Sequence, residues 1–278
     1  MIHKPSIHTP MIHAPSTHQL STDKPSWLTV VPALPLALLA VQVLRMGWNV
    51  PWFEQLRPVL LAAMAGYAEP FWSACTLLGD ALVTPLLVIP FLPRRPQLAW
   101  ASLLAALVAT VLTHAVKPLL HLPRPPAVLD LTVIGPRLLA GSFPSGHTTT
   151  AFTVFVLLWL AGGLRGPVAW SAGLLLAVLV ALSRVAVGAH WPADLLAGAA
   201  AGWVSAWLAL RLAARWPIAP TGRLAGLLPL VLGGLAMVDL FGHDTGYPAG
   251  MFLQQGVAAL MLGALAFQHP GVRRRGMP

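Results

Sequence analysis

The sequence predicts an all-α fold, a polytopic transmembrane helical bundle of eight candidate spans, the last two C-terminal. Three observations carry that expectation. Of 278 residues, 57% are hydrophobic and only 9% charged, and the mean hydropathy is +0.74; so apolar a chain cannot cover a water-compatible surface of normal polarity. The apolar residues fall into runs close to the about 20 residues that one bilayer crossing requires. The basic residues stand singly between those runs and divide unevenly between the two sides.

Taken in order, residues 1–26 are polar and repeat Ile-His at intervals of five, which spaces His3, His8, His13 and His18 evenly. That spacing admits a metal-binding tail, but recurring prolines prevent a regular helix and little is available to bury. The segment therefore reads as a disordered cytoplasmic tail rather than a signal peptide. A first span runs from Trp27 to about Trp48, followed by an amphipathic stretch near 55–67 suited to the interface. The second span covers about Phe71 to Leu92 and closes on Pro93-Arg94-Arg95-Pro96. The third, about Ala99 to Val116, delivers the chain to Lys117. The fourth runs from His147 to near Leu160, the fifth from about Val168 to Ser183, and the sixth from after Asp194 to about Leu212. Two further runs, about 224–241 and 250–268, complete eight. Three parts result: the tail at 1–26, a core at 27–215, and a C-terminal hairpin with a basic tail at 216–278.

With the amino terminus cytoplasmic, that side receives Lys4, Lys24, Arg94, Arg95, Arg165, Arg211, Arg215, Arg223 and Arg273 to Arg275, eleven of the 17 basic residues. The other side receives six: Arg45, Arg57, Lys117, Arg124, Arg137 and Arg184. The bias is positive-inside. A formal net charge of +9 is thereby explained by topology, and no nucleic-acid partner is expected, because no basic stripe with interleaved aromatics exists. The single cysteine, Cys75, excludes an intramolecular disulfide.

Three polar clusters fall on the non-cytoplasmic side: Lys117 with Arg124-Pro125, then Pro144-Ser145-Gly146-His147, then Ser183-Arg184 with His190 and Asp194. Three cations with few acids nearby, converging on a Ser-Gly turn that opens a helix, make a pocket for a multiply charged anion, of which phosphate is the natural one. His190 stands four residues before Asp194. If a helix begins there, the carboxylate can hold one ring nitrogen and leave the other free to attack phosphorus, while His147 protonates the leaving oxygen. No acidic cluster able to hold a metal appears on this face, so no cofactor is expected.

These three clusters, Lys-x6-Arg-Pro, Pro-Ser-Gly-His and Ser-Arg-x5-His-x3-Asp, resemble the tripartite signature of the type 2 phosphatidic acid phosphatase superfamily, which includes lipid phosphate phosphatases and undecaprenyl pyrophosphate phosphatases. Carried over by position, the resemblance implies that His190 is a nucleophile forming a phosphohistidine, Asp194 orients it and His147 is the general acid. Lys117, Arg124, Arg184, Ser145 and the Gly146 amide would hold the phosphoryl oxygens. It implies a metal-independent integral-membrane hydrolase acting on a lipid phosphate or diphosphate, with undecaprenyl pyrophosphate, phosphatidylglycerophosphate, phosphatidic acid and a lipid A phosphate as candidates. The setting would be a bacterial inner membrane with the site on its periplasmic face. A phosphotransferase using the same site, or an anionic-lipid transporter or scaffold without turnover, are the alternatives. The extra pair of spans after about 224 has no counterpart in the usual six-span pattern.

Several residues stay outside this scheme. Asp80, within an apolar run, requires a polar partner that the sequence does not identify. Arg137 reads as a solvated loop arginine or a contact to a second phosphate or the lipid head group, His114 and His121 as packing or interfacial residues ahead of partners of the site, and Asp239 and His243 as candidates for a lid or substrate contact. The tryptophans at 27, 48, 52, 191 and 203 suit interfacial belts or packing. Oligomeric state leaves no trace in the sequence.

Overall fold

The computed structural model describes residues 25–86, 89, 96–161, 164–218 and 223–268. The expectations for the 1–26 tail up to residue 24, for Arg94-Arg95 and for the basic C-terminal tail lie outside the described residues. A 3-10 turn at Trp27–Val30 leads into α1 (Ala33–Arg45), followed by α2 (Asn49–Ala63), α3 (Ala68–Leu77), α4 (Val83–Leu86) and α5 (Pro96–Leu120). Then come the short α6 (Pro125–Val128), α7 (Gly146–Leu160), α8 (Gly166–Ala186), α9 (Pro192–Arg215), α10 (Arg223–Phe241) and α11 (Met251–Gln268). Among the described residues, strand pairing is limited to one isolated bridge between Pro123 and Ala140.

Among the described residues, five stretches are long and apolar enough to cross a membrane: Trp27–Arg45, Gln97–Leu120, Gly166–Ala186, Pro192–Arg215 and Pro248–Phe267. Helix α7 is shorter and largely enclosed. The outer helices keep leucine and valine outward, as Leu34, Leu38, Leu107, Val111, Val168 and Leu175 show. In lipid such exposure costs nothing, so helix contacts must come from close packing and from polar bonds rather than from apolar burial.

Helix α9 is the axis of the bundle, packing on α7, α5 and α1. Its Gly-Ala-Ala-Ala-Gly stretch, 198–202, places two glycines one turn apart against α7. A Cβ at Gly198 would lie 2.7 Å from the Ser145 carbonyl oxygen, and one at Gly202 2.5 Å from that of Thr149. Backbone therefore meets backbone along this seam. Thr153 adds a hydroxyl bond to its own turn at Thr149 O, 2.7 Å, and reaches across to Gly202 O at 3.3 Å.

The second predicted span is not one continuous helix. It breaks between α3 and α4, because residues 78–82 pass tightly against α7 and α8. A Cβ at Gly79 would lie 2.5 Å from Val180 Cγ1 and 3.0 Å from His147 O. The break is stabilised by Asp80, whose Oδ1 accepts from the amides of Leu82 and Val83 at 2.8 and 3.4 Å, as a cap for α4. The Thr84 hydroxyl closes the same turn on the carbonyls of Leu78 and Asp80.

Hydrogen bonds between distant segments define the two ends of the bundle. At one end Arg211 and Trp207 donate to the carbonyls of Pro25 and Ser26, and Trp100 donates to Trp216 O. At the other, Ala193 N donates to Asn49 Oδ1, and Ser145 N donates to Asp194 O. The second end gathers the close of α5, the start of α7, the close of α8 and the start of α9, which are the positions of the three polar clusters.

Candidate active site

Helix α9 begins at Pro192, so Asp194 lies in its first turn and His190 just before it. The anticipated pairing is present: His190 Nδ1 is 3.1 Å from Asp194 Oδ2, with both side chains at most 2% exposed. Asp194 Oδ2 is held further by the Trp191 amide at 2.9 Å and by a short hydrogen bond from the Ser142 hydroxyl. Three donors converging on one oxygen leave the imidazole little freedom to rotate. With Nδ1–H donating to the carboxylate, Nε2 carries the lone pair.

That lone pair faces Arg124, whose Nη1 lies 3.4 Å away. Arg124 opens α6 in an extended conformation. Its guanidinium is tied to three carbonyls: Nε to Ala140 at 2.9 Å, Nη1 to Ala189 at 3.2 Å and Nη2 to Gly141 at 3.2 Å. Of five N–H groups, four are thus engaged within the protein. Beyond the anion contact expected from sequence, this arginine braces the 139–141 and 189–190 segments against each other. Burial, and then the neighbouring Arg184, brings it down to about 10, still charged at neutral pH.

Arg184 closes α8 and is 3% exposed. Its Nη1 donates to Tyr247 Oη at 2.9 Å and, in a short bond, to Thr76 Oγ1, while its Nε is buried without a partner. Lys117, in the last turn of α5 rather than beyond it, is half-buried beside Gly141. Burial first, and then Arg124, Arg184 and Lys117 together, push the His190 imidazole well below its ordinary value of 6.5. The ring is neutral at physiological pH.

Ser145 is the N-cap of α7. Its hydroxyl accepts from the Thr148 amide at 3.4 Å and the Thr148 hydroxyl at 3.0 Å. Gly146 follows as the first helical residue, and a Cβ there would meet nothing within 4 Å. The opening amides of α7 have no partner within their own helix. A cavity of about 260 Å³ begins here, lined by Lys117, Gly146, His147 and Asp80 and continuing between the small and hydroxyl-bearing faces of α5 and α7, such as Ala105, Ala106, Thr149 and Thr153. Arg124, Arg184 and His190 are not on its wall.

The structure thus brings Lys117, Arg124, Ser145, Gly146, His147, Arg184, His190 and Asp194 to one end of the bundle. Sequence reasoning missed Ser142, Thr76 and Tyr247. Ser142 had a signal, lying in the same Ser-Phe-Pro-Ser-Gly-His run; Thr76 and Tyr247 had none. Asp80 is held by the α4 amides, and His243 Nε2 lies 3.3 Å from its Oδ1 without forming a hydrogen bond. Arg137 is exposed and donates to Pro126 O at 3.3 Å, His121 is exposed, and His114 bonds back to Thr110 O while lining the cavity. The Asp239 side chain lies outside the described residues. The arrangement can hold a tetrahedral anion between cations and helix amides, beside a neutral imidazole whose Nε2 lone pair is engaged only by the 3.4 Å contact from Arg124 Nη1.

A family profile described as the PAP2 superfamily matches residues 98–217, a stretch that contains all eight of these residues. Lipid A 1-phosphatase of Porphyromonas gingivalis is 44% identical over 63 residues, 23% of this chain and 14% of that protein. Undecaprenyl-diphosphatase of Sulfolobus acidocaldarius is 33% identical over 138 residues, 49% of this chain and 64% of that protein. Decaprenylphosphoryl-5-phosphoribose phosphatase of Mycobacterium tuberculosis is 34% identical over 148 residues, 52% of this chain and 76% of that protein. The chain thus spans less than two thirds of the length of the first two.

Proposed function

The chain belongs to the PAP2 superfamily, and from that premise we propose that it is a metal-independent integral-membrane phosphatase hydrolysing a lipid phosphate or diphosphate. The observation that carries the reading is His190, neutral, pinned through Nδ1 to Asp194 and surrounded by three cations. The Nε2 lone pair attacks phosphorus, forming the N–P bond as the bond from phosphorus to the lipid oxygen breaks. His147 delivers the proton that the leaving oxygen needs. Water then attacks the phosphohistidine, giving its proton back to His147, and the N–P bond breaks to release phosphate.

Charge on the transferred group is spread over its three equatorial oxygens, so positioning and electrostatics supply most of the catalysis. Lys117, Arg124, Arg184, the Ser145 hydroxyl and the Gly146 amide provide the donors, and these side chains supply the positive charge. Arg124 has one uncommitted N–H and gains a second when His190 Nε2 turns its lone pair to phosphorus, and the Nε of Arg184 is the donor most in need of an acceptor. The cavity between α5 and α7 is largely apolar, which suits an acyl or isoprenoid chain whose phosphate lies at His147. The relatives' names point to the same substrate class, with lipid A phosphate and polyprenyl diphosphate as its two leading members. The excess of Lys and Arg on the opposite side supports a site on the non-cytoplasmic face, and the setting that goes with this reading is a bacterial inner membrane with the site on its periplasmic side. The phosphatase core at 27–215 and the hairpin at 216–278 belong to this same reading.

The test is phosphate release from a panel of lipid phosphates in detergent with EDTA present, parent against His190→Ala. The parent should release phosphate and the variant essentially none. Full activity in the variant, or abolition of the parent's turnover by EDTA, would refute the proposal.

A further inference from the structure

The loop between α10 and α11 enters the site from outside the three motifs. Tyr247, 4% exposed, lies on Gly135 so closely that a Cβ there would come within 2.4 Å of the tyrosine ring. Its neighbour Gly246, at φ +75°, meets Pro136, where an added Cβ would lie 2.9 Å from Cγ. The loop is anchored twice more, by Gln254 Nε2 donating to His243 O at 2.8 Å and by His243 beside Asp80. Such a fit locates the Tyr247 hydroxyl closely.

That hydroxyl is 2.9 Å from Arg184 Nη1, and the guanidinium carbon lies 5.7 Å from the ring centroid. Among the described residues no carboxylate pairs with Arg184. Both hydrogens of Nη1 are used, one by Tyr247 and one by Thr76, while Nε is buried with no partner. A guanidinium secured at Nη1 offers its opposite edge, Nε with Nη2, which is the fork that matches two oxygens of a tetrahedral anion.

We propose that Tyr247 is a positioning residue of the phosphoryl site, supplied by the extra C-terminal hairpin, and that its hydroxyl sets the rotation of the Arg184 guanidinium so that the Nε edge meets the phosphoryl oxygens. The identity of the anion rests on the phosphatase reading above. The role of the hydroxyl rests on the contacts of Arg184 alone. On this account the hairpin is part of the catalytic unit, and its loop cannot be exchanged without retuning phosphate affinity.

The experiment measures orthovanadate affinity by titration calorimetry, together with kcat/KM for phosphate release, in the full chain carrying Tyr247→Phe, Tyr247→Leu, Arg184→Lys or Tyr247→Phe with Arg184→Lys. Removing a hydrogen bond to a charged donor should weaken vanadate binding and lower kcat/KM by about tenfold each. Phenylalanine, which keeps the ring against Gly135, should lose most of what leucine loses, because the hydroxyl is what orients Arg184. In the Arg184→Lys background the Tyr247→Phe change should have almost no further effect, since its target is gone. Unchanged vanadate affinity in Tyr247→Phe, a loss seen with leucine but not phenylalanine, or an undiminished loss in the Arg184→Lys background would each overturn the proposal. Tyr247-dependent vanadate binding in a parent that releases no phosphate would instead leave this inference standing and sink the phosphatase reading.

Discussion

At the scale of single residues, the site is built on one carboxylate oxygen. Asp194 Oδ2 receives His190, Ser142 and the Trp191 amide, and this convergence holds the imidazole in one tautomer with its lone pair turned away. Burial and three cations keep that ring unprotonated below the ordinary 6.5. A proton is therefore taken up by the unfolded chain at a higher pH than by the folded one. The contribution of His190 to stability is complete above the unfolded value and is lost as pH falls from there toward its lower folded value. Unfolding midpoints in detergent, recorded between about pH 7 and pH 5, should fall more steeply for the parent than for His190→Gln. Parallel curves would show that the imidazole is not held neutral.

At the scale of helices, the seam between α7 and α9 decides how closely the site's two halves approach. Gly202 stands where a side chain would strike the Thr149 carbonyl oxygen at 2.5 Å, an atom of the backbone that cannot turn aside. Gly202→Val should cost on the order of 1–3 kcal/mol and lower the unfolding midpoint and activity together. Gly234→Ala, in open space on α10, should leave both at least at the parent's level. Equal behaviour of the two variants in a thermal melt would mean the seam is not tight. Most of these helices were legible in the sequence, since an apolar run bounded by proline, glycine or arginine states its own length. The break at Gly79 and Asp80 was not, because it depends on the distant Val180 and His147 rather than on anything in the run itself. The meeting of the motif residues was legible for the opposite reason: each cluster lies at the end of an apolar run, so the helix count alone brings them to one side. Thr76 and Tyr247, 108 and 63 residues from the arginine they bind, leave no local signature.

At the scale of the whole molecule, the eight motif residues from four helix ends and the loops between them meet at one end of the bundle, and a cavity of about 260 Å³ runs between α5 and α7 from three of them, Lys117, Gly146 and His147. If a lipid tail occupies that cavity, Ala106→Phe should block it at a lining position that is otherwise exposed. The variant should then raise KM about tenfold for a long-chain lipid phosphate, roughly the worth of losing one or two buried methylenes, with little effect on a short-chain, water-soluble phosphate ester. Equal losses on both substrates would place the tail elsewhere. The central claim is that the phosphoryl group passes through His190. It is tested most directly by mixing enzyme with a lipid phosphate labelled on phosphorus, quenching within one turnover in alkali, and locating the label on the chain. The parent should carry an acid-labile, alkali-stable phosphoryl group on His190, formed equally well in EDTA and absent from His190→Ala; label on another residue, or turnover in His190→Ala at the parent's rate, would rule that route out.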